Sequence, residues 1–179
     1  MEYQLGKKTI FLDRDGVINR EVQYLYKIDD FEFIDGIFDA CKYFKSLSYK
    51  IIVISNQSGI SRGYYTKSDF QIITNWMVAQ FNNNGINILD VFHCPHLPDS
   101  NCKCRKPKPG MLFAAQKKYN INMNKSWMIG DKEIDIIAAN NAGIDNTILV
   151  RSGHKINEKD SNAKFILDSI TRAKNVVNS

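Results

Sequence analysis

Two kinds of apolar pattern alternate along this chain. Short unbroken apolar runs rich in β-branched residues are separated by longer segments with an apolar residue at every third or fourth position. The first kind reads as strands buried on both faces, the second as amphipathic helices. Thr9–Leu12 is a strand that ends at Asp13. Ile37, Cys41, Phe44 and Leu47 share a helical face after Gly36, and Lys50–Ser55 is a second strand. Thr66 is placed to cap a helix running to Phe81, with Phe70, Ile73, Met77 and Phe81 on one side. The run Asn82-Asn83-Asn84-Gly85 marks the turn after it. Asp90–Cys94, Ser126–Gly130, Thr147–Val150 and Phe165–Leu167 complete the strands. Between them lie helices over Met111–Tyr119, behind Pro109, and Glu133–Ala142, stopped by Gly143; a last helix is expected after Phe165–Leu167. Strands alternating with helices imply an α/β fold with a parallel sheet covered on both faces. In such sheets ligands bind beyond the carboxyl ends of the strands, so the polar residues there, Asp13, Ser55 and Asp131, mark where to look.

Length and composition narrow this picture. A chain of 179 residues suits one domain, residues 1–179, and can bury roughly 70% of its unfolded surface. With 44% hydrophobic and 24% charged residues it is neither disordered nor a disulfide scaffold. Its 24 basic and 19 acidic residues give +5, with no basic run of the kind that binds nucleic acid. Apolar stretches such as Ile51–Ile54 fall far short of the ~20 residues of a membrane span. Met1–Lys8 lacks the apolar core of a signal peptide, so a cytoplasmic protein is expected.

Five segments carry candidate chemistry. In Asp13-Arg14-Asp15-Gly16, residues two apart on an extended segment face one way, which brings two carboxylates to the mouth of the sheet. Either a divalent cation or protonation of one relieves their repulsion; taken alone, the pair is equally a solvated strand end. Gly130-Asp131-Lys132-Glu133-Ile134-Asp135 ends another strand, and Asp131 is expected to start the next helix. Asp13 and Asp131 together offer two hard oxygen ligands for Mg²⁺, and Asp135 is either a group that orients a metal-bound water or a solvated helix carboxylate. Ser55-Asn56-Gln57-Ser58-Gly59 runs from a strand into a donor-rich turn that can hold a phosphate oxygen, or is an ordinary loop. In Arg105-Lys106-Pro107-Lys108-Pro109-Gly110, Lys106 can neutralise a transferring phosphoryl group and Arg105 can grip a phosphate, while Lys103 and Lys108 read as solvated.

The fifth is Cys94-Pro95-His96 followed by Cys102-Lys103-Cys104: three thiols and an imidazole within eleven positions. In a reducing compartment such a cluster is more often a metal site than a disulfide, and four protein ligands make a closed, structural Zn²⁺ site. His93 faces the other way on its strand, and Cys41 sits on an apolar helical stripe as a small buried hydrophobe. Nothing in the sequence draws His154, Trp76 or Trp127 into a site.

Asp-x-Asp-Gly-Val after a strand, a Ser-Asn-Gln strand end, a Lys-Pro element and Gly-Asp-x-x-x-Asp resemble the four motifs of the haloacid dehalogenase (HAD) superfamily of phosphatases, over Phe11–Ser152. Within it, Phe11–Gly16, Asp30–Gly36, Asn56–Ile60, the Cys-Pro-His loop and Cys104–Met111 are similar to the heptose bisphosphate phosphatases. Histidinol-phosphate phosphatases share the catalytic motifs and the zinc loop, but the runs Ser58–Gly63 and Pro109–Met111 lean towards the heptose enzymes. A non-enzymatic alternative is a zinc-stabilised binding module on the same fold.

The resemblance implies a Rossmann-like doubly wound sheet with no separate cap domain, since only about twenty residues separate Gly16 from Gly36. It implies Asp13 as the nucleophile that forms an aspartyl-phosphate and Asp15 as general acid and base. Ser55, Asn56, Gln57, Ser58 and Lys106 would hold the phosphoryl group, and Arg105 the substrate. Asp13, Asp15 and Asp131 would bind Mg²⁺ together with the Lys132 carbonyl, and Cys94, His96, Cys102 and Cys104 would bind Zn²⁺. The segment Glu21–Tyr24 matches a substrate-contacting loop, with Val22 and Gln23 in place of a more polar, glycine-containing pattern. A phosphorylated sugar is the expected partner of a monomer, on the way to nucleotide-activated heptose for surface glycans such as lipopolysaccharide.

Overall fold

The computed structural model describes residues 6–178; Met1–Leu5, part of the segment read for a signal peptide, lie outside the described residues. Six strands, β1 (Thr9–Leu12), β2 (Lys50–Asn56), β3 (Ile88–Cys94), β4 (Trp127–Gly130), β5 (Asn146–Val150) and β6 (Phe165–Leu167), form one sheet in the order β3-β2-β1-β4-β5-β6. Every adjacent pair is parallel. Four α-helices are interleaved: α1 (Ile37–Ser46), α2 (Lys67–Asn83), α3 (Gly110–Tyr119) and α4 (Glu133–Asn141).

Strand periodicity divides the core in two. Ile10 and Leu12 of β1, with Ile51 and Val53 of β2, pack into a cluster with Ile37 and Phe44 of α1 and Ile73, Met77 and Phe81 of α2. Phe11, Ile52 and Ile54 point the other way, onto Met111, Leu112 and Ala115 of α3 and Ala138 and Ala139 of α4. All four β1 residues are buried, as expected for a central parallel strand covered on both faces. Cys41 lies in the first cluster with no exposed surface, and burial pushes its thiol well up, so it acts as a core residue. Thr66 caps α2 with a reciprocal pair of hydrogen bonds to Asp69.

The structure departs from the sequence reading in three places. Strand β3 begins at Ile88 rather than Asp90, because a bulge opposite Ile51 and Ile52 absorbs Leu89 and hides the strand's true start. The expected last helix is a 3₁₀ segment, Ile170–Asn175, in which the Ser169 hydroxyl tightens the first turn by accepting from Thr171 N–H. Its Ile170 and Ala173, with Val177 beyond, complete the first core cluster. Asp131 does not start α4: Lys132 is the cap, and Asp135 accepts the Lys132 N–H at 3.1 Å, leaving Asp131 in the turn before the helix.

The chain leaves β1 towards β2 and β3, then returns to place β4 on the other side of β1. This reversal opens a crevice at the carboxyl ends of β1 and β4, where Asp13 and Asp131 emerge. Residues 17–35, after the first motif, hold only isolated bridges and a 3₁₀ turn, Ile28–Asp30, and a single helix joins β2 to β3. No separate cap domain is present among the described residues.

Phe11 is wholly buried at the centre of the second cluster. Phe11→Ala is expected to lower unfolding stability by about 3–5 kcal/mol, read by urea denaturation; a loss below about 1 kcal/mol would contradict this account of the core.

Candidate active site

A cleft of about 260 Å³ opens at the crevice, lined by Asp13, Asp15, Glu21, Tyr24, Arg105 and Lys106 among others. Lys106 is its centre. Its ammonium group is buried and lies 2.9 Å from Asp13 Oδ1 and 2.6 Å from Asp135 Oδ1, and it donates to the Ile54 carbonyl at 2.8 Å. Burial disfavours the charge on this lysine, but the two carboxylates outweigh that and hold it cationic. The backbone of Lys106 is fixed by Asn56, whose side-chain amide accepts from Lys106 N–H and donates to its carbonyl, each at 3.1 Å. Asn56 lines the cleft and also fixes Lys106 there.

Asp13 Oδ1 also accepts the Arg14 N–H at 2.8 Å, so both protein contacts fall on one oxygen. Burial, with repulsion from Asp135 and Asp15, raises Asp13 to about 6 even against Lys106. Asp15 goes the opposite way. Burial would raise it, but the Arg14 guanidinium and hydrogen bonds from Arg14, Asn19 and Gln57 hold it below the ordinary carboxylate value. Gln57 links several groups: its Nε2 donates to Asp15 Oδ2 at 3.1 Å and to the Ser55 hydroxyl at 2.7 Å, while its Oε1 accepts from Tyr65. The Ser55 side chain is thus buried against Gln57 and is not among the residues lining the cleft, unlike Asn56, Gln57 and Ser58.

Oxygens of Asp13, Asp131 and Asp135 lie within 4.8 Å of one another. Asp131 has no exposed surface, its Oδ1 has no hydrogen-bond partner among the described residues, and burial and Asp13 push its carboxyl up. Converging buried carboxylates with an unpartnered oxygen are the donor set a small divalent cation satisfies, so these residues fit Mg²⁺. The Asp15 carboxylate is outside this group, turned to Arg14 and Asn19, and Asp135, half expected to be solvated, is fully buried on Lys106. His154, which drew no argument from the sequence, lies with its Nδ1 2.6 Å from Asp131 Oδ2. A solitary histidine in a loop past β5 has no local spacing that could have signalled this contact.

Cys94, His96, Cys102 and Cys104 form a compact second cluster. Their closest approaches are 3.1 and 3.7 Å between sulfurs and 3.3 Å from His96 Nδ1 to both Cys94 and Cys104. A tetrahedron with Zn–S about 2.3 Å and Zn–N about 2.0 Å has edges of roughly 3.5–3.8 Å. The set can bind zinc, and all three cysteines are free thiols rather than disulfides. Arg105 joins this loop to the cleft by donating to the His96 carbonyl at 3.1 Å. His93 packs on Phe70 with ring centroids 4.3 Å apart, away from the cluster.

The chain is 47% identical over 163 residues to the D-glycero-alpha-D-manno-heptose-1,7-bisphosphate 7-phosphatase of Photorhabdus laumondii, covering 87% of this chain and 89% of that one. The chain belongs to the heptose bisphosphate phosphatase family. A beta-anomer enzyme of the family, from Pasteurella multocida, is 42% identical over 92% of this chain and 93% of its own. Residues 103–173 match a family model described as HAD-hydrolase-like. Among solved structures, the D,D-heptose 1,7-bisphosphate phosphatase of B. bronchiseptica, complexed with magnesium and phosphate, superposes with a TM-score of 0.82 at 27% identity, covering 94% of this chain and 96% of that one. The family is one of phosphoric monoester hydrolases, and this chain is an enzyme of that kind.

The carboxylates give a test by pH. Asp13 and Glu21 titrate near 6 and near 7, above their ordinary values of 3.8 and 4.5. Folding therefore favours their protonated forms; this stabilisation is complete below the ordinary values and is lost as pH rises through 6 to 7. Asp15, held low, acts in the opposite sense only in more acid solution. Without added divalent cation, the melting temperature should fall between about pH 4 and pH 7, and Mg²⁺ should flatten the slope. A melting temperature at about pH 8 that ignores Mg²⁺ would count against the cation site.

Proposed function

We propose that the chain is a Mg²⁺-dependent phosphatase that removes the 7-phosphate of D-glycero-D-manno-heptose 1,7-bisphosphate through an aspartyl-phosphate on Asp13. The observation that carries this reading is Asp13 at the mouth of the crevice, with Oδ1 held by the Arg14 N–H and the Lys106 ammonium. Oδ2 is left without a protein partner among the described residues, as the oxygen that attacks phosphorus. The substrate comes from the relatives named for it, at 47% and 42% identity.

Each half-reaction moves one proton. Asp13 Oδ2 forms the P–O bond as the bond to the sugar oxygen breaks, and Asp15 gives that oxygen its proton. Water then attacks phosphorus, Asp15 takes the water proton, and inorganic phosphate leaves with Asp13 restored. The Arg14 pairing favours the ionised Asp15 that the second half needs. A bound phosphate brings negative charge beside Asp15 and pushes its carboxyl up towards the protonated form that the first half needs. Lys106 neutralises charge on the transferring group, and Gln57 and Ser58 line the cleft beside it. Mg²⁺, held by Asp13 and Asp131 with the Asp15 and Lys132 region beside it, would supply charge neutralisation at the phosphate. Glu21, Tyr24 and Arg105 line the outer cleft and are assigned to the sugar and its second phosphate. Arg105 at the rim offers a partner to a second phosphate and repels the ammonium group of histidinol phosphate, which favours the bisphosphorylated sugar. Zn²⁺ on Cys94, His96, Cys102 and Cys104 is structural and holds Arg105 in place. The setting is that of a monomeric cytoplasmic enzyme in nucleotide-activated heptose synthesis; no helix among the described residues is long and apolar enough to cross a membrane.

Phosphate release from both anomers of the heptose bisphosphate and from histidinol phosphate, measured side by side with Mg²⁺, tests the reading. The heptose bisphosphate should give the higher kcat/KM, Asp13→Asn should abolish turnover, and Asp15→Asn should slow it by about 10²–10⁴. Preference for histidinol phosphate would transfer the assignment to that enzyme class; no release from any of them would favour the binding module.

Elemental analysis should find one zinc per chain, and Cys102→Ser should lower activity by loosening Arg105 and Lys106. Active, freshly purified protein without zinc would refute that role.

A further inference from the structure

Asp131 is confined from three sides. Its side chain has no exposed surface. A Cβ placed on Gly16 or on Gly153 would come within 2.4 and 2.1 Å of Asp131 Oδ2, so neither position tolerates a side chain beside it. Gly16 also has φ of +85°, a conformation that glycine adopts without strain. The third contact comes from His154. Its backbone N–H donates to Oδ2 at 3.0 Å, and its Nδ1 faces the same oxygen at 2.6 Å. A nitrogen that close to a carboxylate oxygen donates, which places a proton on Nδ1. Both contacts fall on Oδ2, and Oδ1 is the buried oxygen with no hydrogen-bond partner among the described residues.

We infer that His154 is a positioning residue for the divalent cation: it anchors one oxygen of Asp131 so that the other is presented to the ion alongside Asp13. The inference rests on the Mg²⁺ reading above. A carboxylate held at one oxygen by two donors cannot rotate its second oxygen away, so the cost of ordering the ligand is met before the ion arrives. The backbone N–H supplies part of the anchoring whatever the side chain; the imidazole supplies the rest and is the part that substitution can remove. His154 Nδ1 also lies 3.9 Å from Glu21 Oε2, across the outer cleft, but the shorter contact decides its orientation. Groups that orient metal ligands in this way are typically worth about 10- to 100-fold in metal affinity.

The probe is Mn²⁺, with free ion followed by electron paramagnetic resonance during titration of the zinc-loaded protein. His154→Ala should bind Mn²⁺ about 10- to 100-fold more weakly than wild type. His154→Asn, whose side-chain amide nitrogen can reach the place of Nδ1, should recover most of that loss. His154→Leu, which keeps bulk but has no donor, should behave as His154→Ala does and guards against a failure of the alanine variant to fold. The Mg²⁺ concentration for half-maximal phosphate release should rise by the factor seen with Mn²⁺, a shift that a merely structural defect would not produce. Asp131→Asn separates the two levels of the argument. Weak Mn²⁺ binding by Asp131→Asn beside wild-type binding by both His154→Ala and His154→Leu overturns the role of His154 and leaves the cation reading standing. Wild-type Mn²⁺ binding by Asp131→Asn overturns the cation reading and the role of His154 with it.

Discussion

A single buried ammonium group holds this site together. Lys106 touches Asp13 at the end of β1, Asp135 in the first turn of α4 and the Ile54 carbonyl in β2. Three elements from distant parts of the chain thus converge on one cation. Without it, Asp13 and Asp135 would face each other as buried like charges, and one would have to take up a proton. With it, the three groups carry net charge −1, and a divalent cation beside Asp131 would offset that charge and the charge of Asp131. The pair of hydrogen bonds between Asn56 and the Lys106 backbone keeps this ammonium in register with β2.

The Cys₃His loop acts on the same point from outside. Its last cysteine, Cys104, stands two residues before Lys106, and Arg105 between them is tied back to the His96 carbonyl. The loop therefore sets where the strand–loop–helix connection places Arg105 and Lys106, although none of its ligands lines the cleft. In the proposed reaction, order in this loop would become precision at the phosphate, the usual means by which positioning contributes to rate.

Much of this was legible in the sequence because it depends on local pattern. Buried strands announce themselves as β-branched runs, and the residues that end them point to the site through the topology of parallel sheets. Asp13 and Asp131 each follow an apolar run directly, while Lys106 stands in a basic, proline-containing loop and the cysteines show in their spacing. What was missed depends on contacts between loops distant in sequence. Asp135 reads equally as a solvated helix residue until Lys106 is brought onto it, and the Ser55 hydroxyl reads as free until Gln57 folds back onto it. His154 has no partner within its own segment; its partner, Asp131, belongs to the neighbouring strand's loop. The start of β3 was lost for a different reason, because a bulge breaks the period that the eye follows.

The sheet order also governs how the chain assembles as it is made. β1 is the central strand, yet only β2 follows it closely in sequence; its other neighbour, β4, lies beyond two more helices and a strand. Until β4 emerges, one side of β1 is an open edge of unpaired backbone groups flanked by Ile10, Phe11 and Leu12, the kind of edge that recruits other chains. The first core cluster waits longer still, since Ile170, Ala173 and Val177 close it. Native pairing therefore comes late in synthesis and spans a large sequence separation, which makes folding slow and leaves the nascent chain dependent on protection from its neighbours.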